Sequence, residues 1–180
     1  ATQDHLVRAE AQERACDPQA RLRESRAVMD SIAENIRKLK EELPENVRVV
    51  AVTKTRTAGE AVEAYNAGIR TFGENRVQEL VSKKPLLPDD ISWHIIGHLQ
   101  SNKVRQAVAA ASMIESVDTL RLLRLVDAEA LAQGRTIDCL LQVHIASEET
   151  KSGFAIAEIE ETDWSAVAAS LKGDRICGVM

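Results

Sequence analysis

The chain has 180 residues, of which 44% are hydrophobic and 3% aromatic, and its formal net charge is −5. This length and apolar content suit one domain with a core of Ala, Val, Ile and Leu, and the acidic balance argues against nucleic acid as a partner, because phosphate binding depends on clustered Lys and Arg. Neither a secretory leader pattern nor an apolar run long enough to cross a bilayer occurs, so we expect no membrane partner.

The N-terminal region divides into two parts. Residues 1–20 are polar and charged and predict a tail or short helix, which leaves 21–180 as the domain. From residue 22 apolar side chains recur at helical spacing and predict an amphipathic helix over 22–43 that ends before Pro44. We expect a monomer, with this helix as the place for any dimer contact. Its apolar positions are Val28, Ile32, Ile36, Leu39 and Leu43.

The cysteines indicate the redox compartment. Cys16, Cys139 and Cys177 are an odd number and show no C-x-x-C spacing. They therefore indicate neither a disulfide framework nor a zinc site. A reducing cytoplasm fits this pattern.

The segment V-R-V-V-A-V-T-K-T, over 47–55, is a β-branched run of strand length that ends in a lysine. Alternation places Lys54 on one face of the strand and Thr53 on the other. We expect Lys54 at the mouth of an apolar pocket, where the charged form loses its hydration and the neutral amine that attacks carbonyls is favoured. The alternative is a solvated cation at a strand end, and position alone leaves both open.

Downstream, strand and helix signals alternate with a period of about twenty residues. Thr57-Ala58-Gly59-Glu60 has the spacing of a capping box for a helix that Gly68 terminates. Asn75 and Asp118 are in position to cap two later helices. Further helices are predicted from Ser101 and around Trp164. The predicted strands are 47–55, 70–73, 91–96, 113–117, 137–145 and 175–180.

Six strands separated by five helices predict an α/β fold with a parallel sheet and right-handed crossovers. A doubly wound sheet should carry a glycine-rich turn after its first strand, and V-T-K-T-R-T-A-G contains no G-x-G-x-x-G. A TIM-type (β/α) barrel needs no such turn and places its chemistry at the carboxyl ends of the strands. The residues that fall there are Lys54, Gly73-Glu74-Asn75, Gly97-His98, Ser116-Val117-Asp118 and His144.

Several sequence blocks together resemble the pyridoxal phosphate homeostasis proteins, which are single-domain relatives of the alanine racemase barrel. The resemblance runs from about residue 21 to Met180, and the F-G-E-N and I-G-H-L-Q-x-N-K patterns are specific to that family. The blocks are V-A-V-T-K-T at 50–55, F-G-E-N-R-V-Q-E-L at 72–80, W-H-I-I-G-H-L-Q-S-N-K at 93–103, S-V-D at 116–118, E-E-T-K-S-G at 148–153 and G-V-M at 178–180.

The resemblance implies a barrel of the alanine racemase N-terminal-domain kind that carries pyridoxal 5′-phosphate (PLP) as a Schiff base on Lys54. It implies a role in vitamin B6 and amino-acid homeostasis without evident catalytic turnover. Family members continue past the G-V-M strand. We therefore expect the barrel to be truncated after its sixth strand, without the serine- and glycine-rich phosphate loop and the arginine near the pyridine nitrogen.

The expected cofactor-binding residues are Lys54, Asn75, His98 and Ser116. Two of these have a plainer alternative: Asn75 is explained as a helix cap, and Ser116 as a hydroxyl that satisfies a backbone group. His98 shares a strand face with His94, and two imidazoles at this spacing invite a metal interpretation. No carboxylate or cysteine with ligand spacing accompanies the two histidines, so we predict no metal site.

The remaining candidates have structural interpretations. His94 is expected inside the barrel or bonded to a neighbour, and His144 at either a core or a mouth position. Trp93 and Trp164 are interpreted as packing residues, and the Lys83-Lys84 pair as solvated surface.

Two other functions stay open from the sequence. One is a PLP-dependent amino-acid racemase or decarboxylase of the same barrel, in which Lys54 moves a proton at the substrate α-carbon. Such enzymes usually add a second β domain, for which nothing after Lys54 leaves room. The other is a lysine-dependent aldolase without a cofactor, which would be colourless.

Overall fold

The structure is a computed structural model that describes residues 32–145 and 152–180. The predicted tail at 1–20 and most of the predicted loop at 147–153 lie outside the described residues. The elements in chain order are α1 (32–42), β1 (Ala51–Val52), α2 (Ala58–Asn66), β2 (Thr71–Glu74), α3 (Val77–Lys83), β3 (Ser92–Ile95), α4 (Val104–Ala110), β4 (Met113–Val117), α5 (Leu120–Ala132), β5 (Ile137–Leu141), β6 (Val143–His144), β7 (Phe154–Ala155), α6 (Ile156–Glu161), α7 (Trp164–Ser170) and β8 (Asp174–Val179).

Six parallel strands form the main sheet in the order β1-β2-β3-β4-β5-β8. Each strand lies beside the strand that precedes it in the sheet along the chain, and the order never reverses as it does at the switch point of a doubly wound sheet. The predicted parallel sheet is confirmed, and its strand order is that of a (β/α) barrel. None of the described helices is long and apolar enough to cross a membrane.

The predicted strand over 137–145 is wrong as a single element. It divides into β5 and β6, and β6 pairs with β7 in a separate two-stranded parallel sheet. Between the two strands, the N–H of Gln142 still donates to the carbonyl of Val117, whereas the N–H of Val143 donates to Met180. The apolar run continues across this change of partner, so composition does not reveal it.

One face of the sheet packs against the helices and is apolar. Phe72 on β2 pairs in register with Trp93 on β3, and their ring centroids lie 5.7 Å apart in the buried core. Trp164 stacks edge-on against Phe154 at 5.5 Å. Both tryptophans are therefore packing residues, as predicted. Buried helical residues in the same cluster are Ala61, Leu80, Val104, Val108, Leu123 and Val126.

The opposite face, which is the interior face in a barrel, carries polar groups. Nδ1 of His94 lies 2.5 Å from a carboxylate oxygen of Glu115, and its Nε2 lies 3.3 Å from Ser92. This confirms that His94 bonds to neighbours. Farther along the sheet, Arg175 donates to Asp138 through two hydrogen bonds of 2.9 Å. The residues in register across this face are Val52, Gly73, His94, Met113, Asp138 and Arg175.

The helix starts follow local capping chemistry, with two corrections. The predicted capping box is confirmed, because Thr57 Oγ1 accepts from the N–H of Glu60 and the Glu60 carboxylate accepts from the N–H of Thr57. Asn75 is not a cap, because α3 begins at Val77 and Arg76 occupies the N-cap position. Asp118 is not a cap either: the Thr119 hydroxyl accepts from the N–H of Leu122. Both polar side chains are thereby left for other contacts.

Candidate functional site

Lys54 lies on a tight turn directly after β1. The N–H of Arg56 donates to the carbonyl of Thr53 at 3.0 Å, which closes a β-turn with Lys54 and Thr55 at its centre. Thr55 has a φ of +62°, in the left-handed region that non-glycine residues rarely adopt. The Lys54 side chain is exposed to solvent. The expectation that Lys54 stands at the mouth of an apolar pocket, with its charged form poorly hydrated, does not fit this exposure, because Lys54 belongs to the turn beyond the strand.

A buried ion pair holds the first residue of this turn. Glu74, at the end of β2, is fully buried, and its Oε1 accepts from the Thr53 hydroxyl at 2.7 Å and from Lys83 Nζ at 2.6 Å. The same ammonium donates to the carbonyl of Thr53 at 2.7 Å. The second carboxylate oxygen of Glu74, Oε2, is buried and has no hydrogen-bond partner among the described residues.

The expectation that Lys83 and Lys84 are solvated surface is wrong. The Lys83 side chain is only 12% exposed, and Lys84, half-buried, donates to the carbonyl of Ala110 at 2.8 Å. Their partners are 9 and 26 residues away in the sequence. A doublet of lysines carries no local sign of such distant acceptors.

Asn75 and His98 line one groove, between the loops that follow β2 and β3. Its volume is about 520 Å³. The two loops approach closely because residue 97 is glycine: a Cβ there would lie 2.6 Å from the carbonyl oxygen of Asn75. The structure thus brings two of the predicted site residues together, while Lys54 is not part of the lining. The other lining residues are Arg76, Val77, Gln78, Glu79, Leu99, Gln100 and Lys103.

His98 forms a dyad with Asp118, the residue after β4. Nδ1 of His98 lies 3.0 Å from Asp118 Oδ2, and the histidine side chain is 61% exposed while the aspartate is 8% exposed. A carboxylate oxygen accepts, so Nδ1 of His98 donates to Asp118. Sequence reasoning missed Asp118 as a site residue because its position also suits a helix cap.

Ser116 and His144 take structural positions. The Ser116 hydroxyl is buried and donates to the carbonyl of Gly97 at 2.6 Å, which ties the end of β4 to the residue before His98. This is the plainer of the two interpretations considered for Ser116. His144 is partly buried on β6, and its Nε2 has no partner among the described residues.

Four polar or charged residues follow four consecutive strands, at the edge of the sheet where the strands have their carboxyl ends. Lys54, Asn75, His98 and Asp118 come after β1, β2, β3 and β4. Neighbouring strands lie about 4.8 Å apart, so the ends of β1 and β3 are separated by about 10 Å. A primary amine can condense with a carbonyl compound, and an amide and an imidazole can hydrogen-bond to polar substituents.

The chain matches the alanine racemase N-terminal domain model over residues 28–180. It is 41% identical over 140 residues to the pyridoxal phosphate homeostasis protein of Synechocystis sp., an alignment that covers 77% of this chain and 63% of that protein. Against the pyridoxal phosphate homeostasis protein of Escherichia coli K12 it is 34% identical over 166 residues, covering 84% and 70%.

A solved structure is similar in fold. PipY of Synechococcus elongatus PCC7942, with PLP bound, superposes with a TM-score of 0.76 at 38% identity, covering 83% of this chain and 69% of PipY. The chain spans between 50% and 70% of the length of the first curated relatives it matches.

Proposed function

We propose that this chain, which belongs to the alanine racemase N-terminal domain family and within it to the pyridoxal phosphate homeostasis proteins, binds PLP covalently at Lys54 and serves PLP homeostasis. The observation that carries the proposal is the placement of Lys54, an exposed amine on a fixed turn at the carboxyl edge of the sheet. The bound PLP in PipY and the names of the relatives support it.

Attachment requires a condensation at the Lys54 amine. Nζ attacks the aldehyde carbon, a C=N bond forms and one water molecule leaves. Bound PLP supplies an electron sink. Of the remaining residues, we propose that Asn75 and His98 contact the ring substituents, and that Ser116 acts through the backbone of Gly97, which it holds. These roles belong to a domain at 21–180, with 1–20 outside it.

We further propose that the protein holds PLP without turning over a substrate. Relatives that share 34–41% identity are named for homeostasis. A racemase would also need a proton donor or acceptor on each side of the substrate α-carbon. Lys54 would serve one side, so racemisation of single amino acids that depends on Lys54 would contradict this proposal.

The surroundings and partners are part of the same proposal. We place the protein in the cytoplasm as a monomer, with PLP as its small-molecule partner and no nucleic acid or membrane partner. The free thiols of Cys139 and Cys177 support a reducing compartment, and the net charge of −5 supports the exclusion of nucleic acid.

An absorbance titration tests the proposal. Adding PLP to the purified protein should produce a visible band that borohydride bleaches, and Lys54→Ala should abolish it. Because the side chain is exposed, this substitution should change the free energy of unfolding by less than about 0.5 kcal/mol. Lys38→Ala, which removes an exposed lysine of α1 outside the groove, is the matched control and should retain the band. A bleachable band of full intensity in Lys54→Ala would refute the assignment.

A further inference from the structure

The turn that carries Lys54 is held at one end by charged groups that the proposed chemistry does not use. We propose that Glu74 and Lys83 are positioning residues, which act through Thr53 to keep Lys54 in the conformation that reacts with PLP. This inference rests on the proposed function, and it names how the site is built rather than what it binds.

The contacts converge on one residue, Thr53, which immediately precedes Lys54. Its carbonyl oxygen accepts from Lys83 Nζ at 2.7 Å and from the N–H of Arg56 at 3.0 Å. Its hydroxyl donates to Glu74 at 2.7 Å, and its N–H donates to the carbonyl of Gly73 at 3.0 Å. All the hydrogen-bonding groups of Thr53 are therefore engaged, and the peptide bond that leads into Lys54 is fixed in orientation.

The turn needs such a hold because of its strain. Thr55 is β-branched and has a φ of +62°, a conformation that costs free energy and persists only where surrounding contacts over-determine it. Lys54 and Thr55 are themselves exposed, so packing of their side chains does not supply the constraint. The constraint comes from Thr53, at the first position of the turn.

The ion pair is poorly suited to a purely stabilising role. Glu74 is fully buried with one oxygen lacking a partner among the described residues, and taking both charges out of water offsets much of their attraction. We therefore assign the pair a positioning role, because the ammonium of Lys83 connects Glu74, at the end of β2, to the carbonyl of Thr53.

The double variant Glu74→Gln/Lys83→Met removes both charges at nearly constant volume, so that no buried charge is left unpaired. Lys84→Met is the matched control, because Lys84 is the adjacent half-buried lysine and donates to Ala110, away from the turn. Lys83→Arg keeps a cation on α3 and serves as the second variant if the double variant does not fold, which circular dichroism decides.

Two measurements separate positioning from general stability. In the cofactor-free protein, the amide of Arg56, which donates to Thr53, should exchange with deuterium about tenfold faster in the double variant, because the carbonyl it bonds is no longer held. The second-order rate constant for PLP attachment should fall about tenfold, because a misplaced amine loses orientation. Lys83→Arg should lower the rate less than the double variant, and Lys84→Met should leave both quantities within about twofold of wild type.

The outcomes are distinguishable. A variant that loads PLP as fast as wild type overturns the inference, whatever its amide exchange shows. Slower loading with unchanged exchange at Arg56 overturns it too, because the effect would not pass through the turn. A wild-type protein that never attaches PLP at Lys54 instead rejects the proposed function, and leaves the exchange measurement as the test of whether the pair holds the turn.

Discussion

At the residue scale, conformations and charges that cost free energy are concentrated at a few positions. Thr55 adopts a positive φ next to Lys54, the proposed anchor. Asp174 is buried at the start of β8, and its Oδ1 has no partner among the described residues. Neither feature favours folding, so each can be relieved by a single substitution.

Thr55→Gly should stabilise the protein. Glycine adopts a φ of +62° without a steric penalty, so relief of the strain should raise the free energy of unfolding by about 1 kcal/mol. The greater conformational entropy of glycine in the unfolded chain offsets part of this gain. Thr55→Ala is the control and should give no such gain, because alanine also disfavours positive φ. Chemical denaturation measures both. Equal stabilisation by the two variants would show that backbone strain is not the cause.

Asp174 predicts a pH dependence of stability. Burial, and then the negative charge of Asp127, raise the pKa of Asp174 to about 7. The folded state therefore prefers the protonated form, so stability should fall as pH rises from about 4, the unfolded pKa, and should level off above 7. Asp174→Asn mimics the protonated form and should stabilise the protein at pH 8 by about 1–2 kcal/mol, a figure reduced for solvent screening.

Asp127 provides the opposite case. Burial alone would raise the pKa of Asp127, but backbone N–H groups of residues 172–174 donate to its carboxylate and lower the pKa below its usual value. Its stabilising contribution is present above about pH 4 and is lost only at more acidic pH. Asp127→Asn should therefore destabilise the protein at pH 8.

The pH dependence assigned to Asp174 is tested by measuring the free energy of unfolding of wild type and Asp174→Asn at several pH values from 4 to 8. A difference between the two proteins that stays constant over this range would contradict the assignment.

At the element scale, the groove depends on how closely two strand-to-helix loops approach. The loop after β3 touches the loop after β2 at Gly97, where a side chain would collide with the backbone of Asn75. The hydroxyl of Ser116, on β4, donates a hydrogen bond to the carbonyl of the same glycine. The positions of Asn75 and His98 are therefore set by backbone contacts between neighbouring units.

Gly97→Ala should separate these loops. The added Cβ would lie 2.6 Å from a carbonyl oxygen, which forces the backbone to shift, and we expect a loss of about 1–3 kcal/mol in stability together with weaker PLP binding. Gly59→Ala is the matched control: its Cβ would meet only Thr57 Oγ1 at 3.8 Å, and alanine favours the helix by about 0.5–1 kcal/mol. Unchanged PLP binding in Gly97→Ala would show that the groove takes no part.

The sequence predicted most elements because their signals are local. The capping box at Thr57, the terminator Gly68 and the strand over 113–117 require no knowledge of distant residues, and the structure confirms them. No local pattern encodes contacts with distant residues. The pairing of β6 with β7 instead of the main sheet depends on such contacts, as do the ion pair of Lys83 with Glu74 and the contact of Asp118 with His98. The short helix α6 was missed because its apolar positions are few and none of its residues is buried.

At the scale of the whole molecule, the six parallel strands in chain order place successive loops side by side at one edge. Apolar residues between the sheet and the helices stabilise this arrangement, and the opposite face carries the polar pairs of His94 and Arg175. The scaffold therefore holds Lys54 at the edge without burying it. The proposed attachment of PLP therefore takes place at a solvent-accessible amine.

Peptide mapping after borohydride reduction of the PLP-treated protein locates the site of attachment. We expect one phosphopyridoxyl group on the peptide that contains Lys54, at close to one per chain, with none on peptides that contain Lys83, Lys84 or Lys103. Adducts spread over several surface lysines, or a single adduct at a lysine other than Lys54, would contradict this expectation.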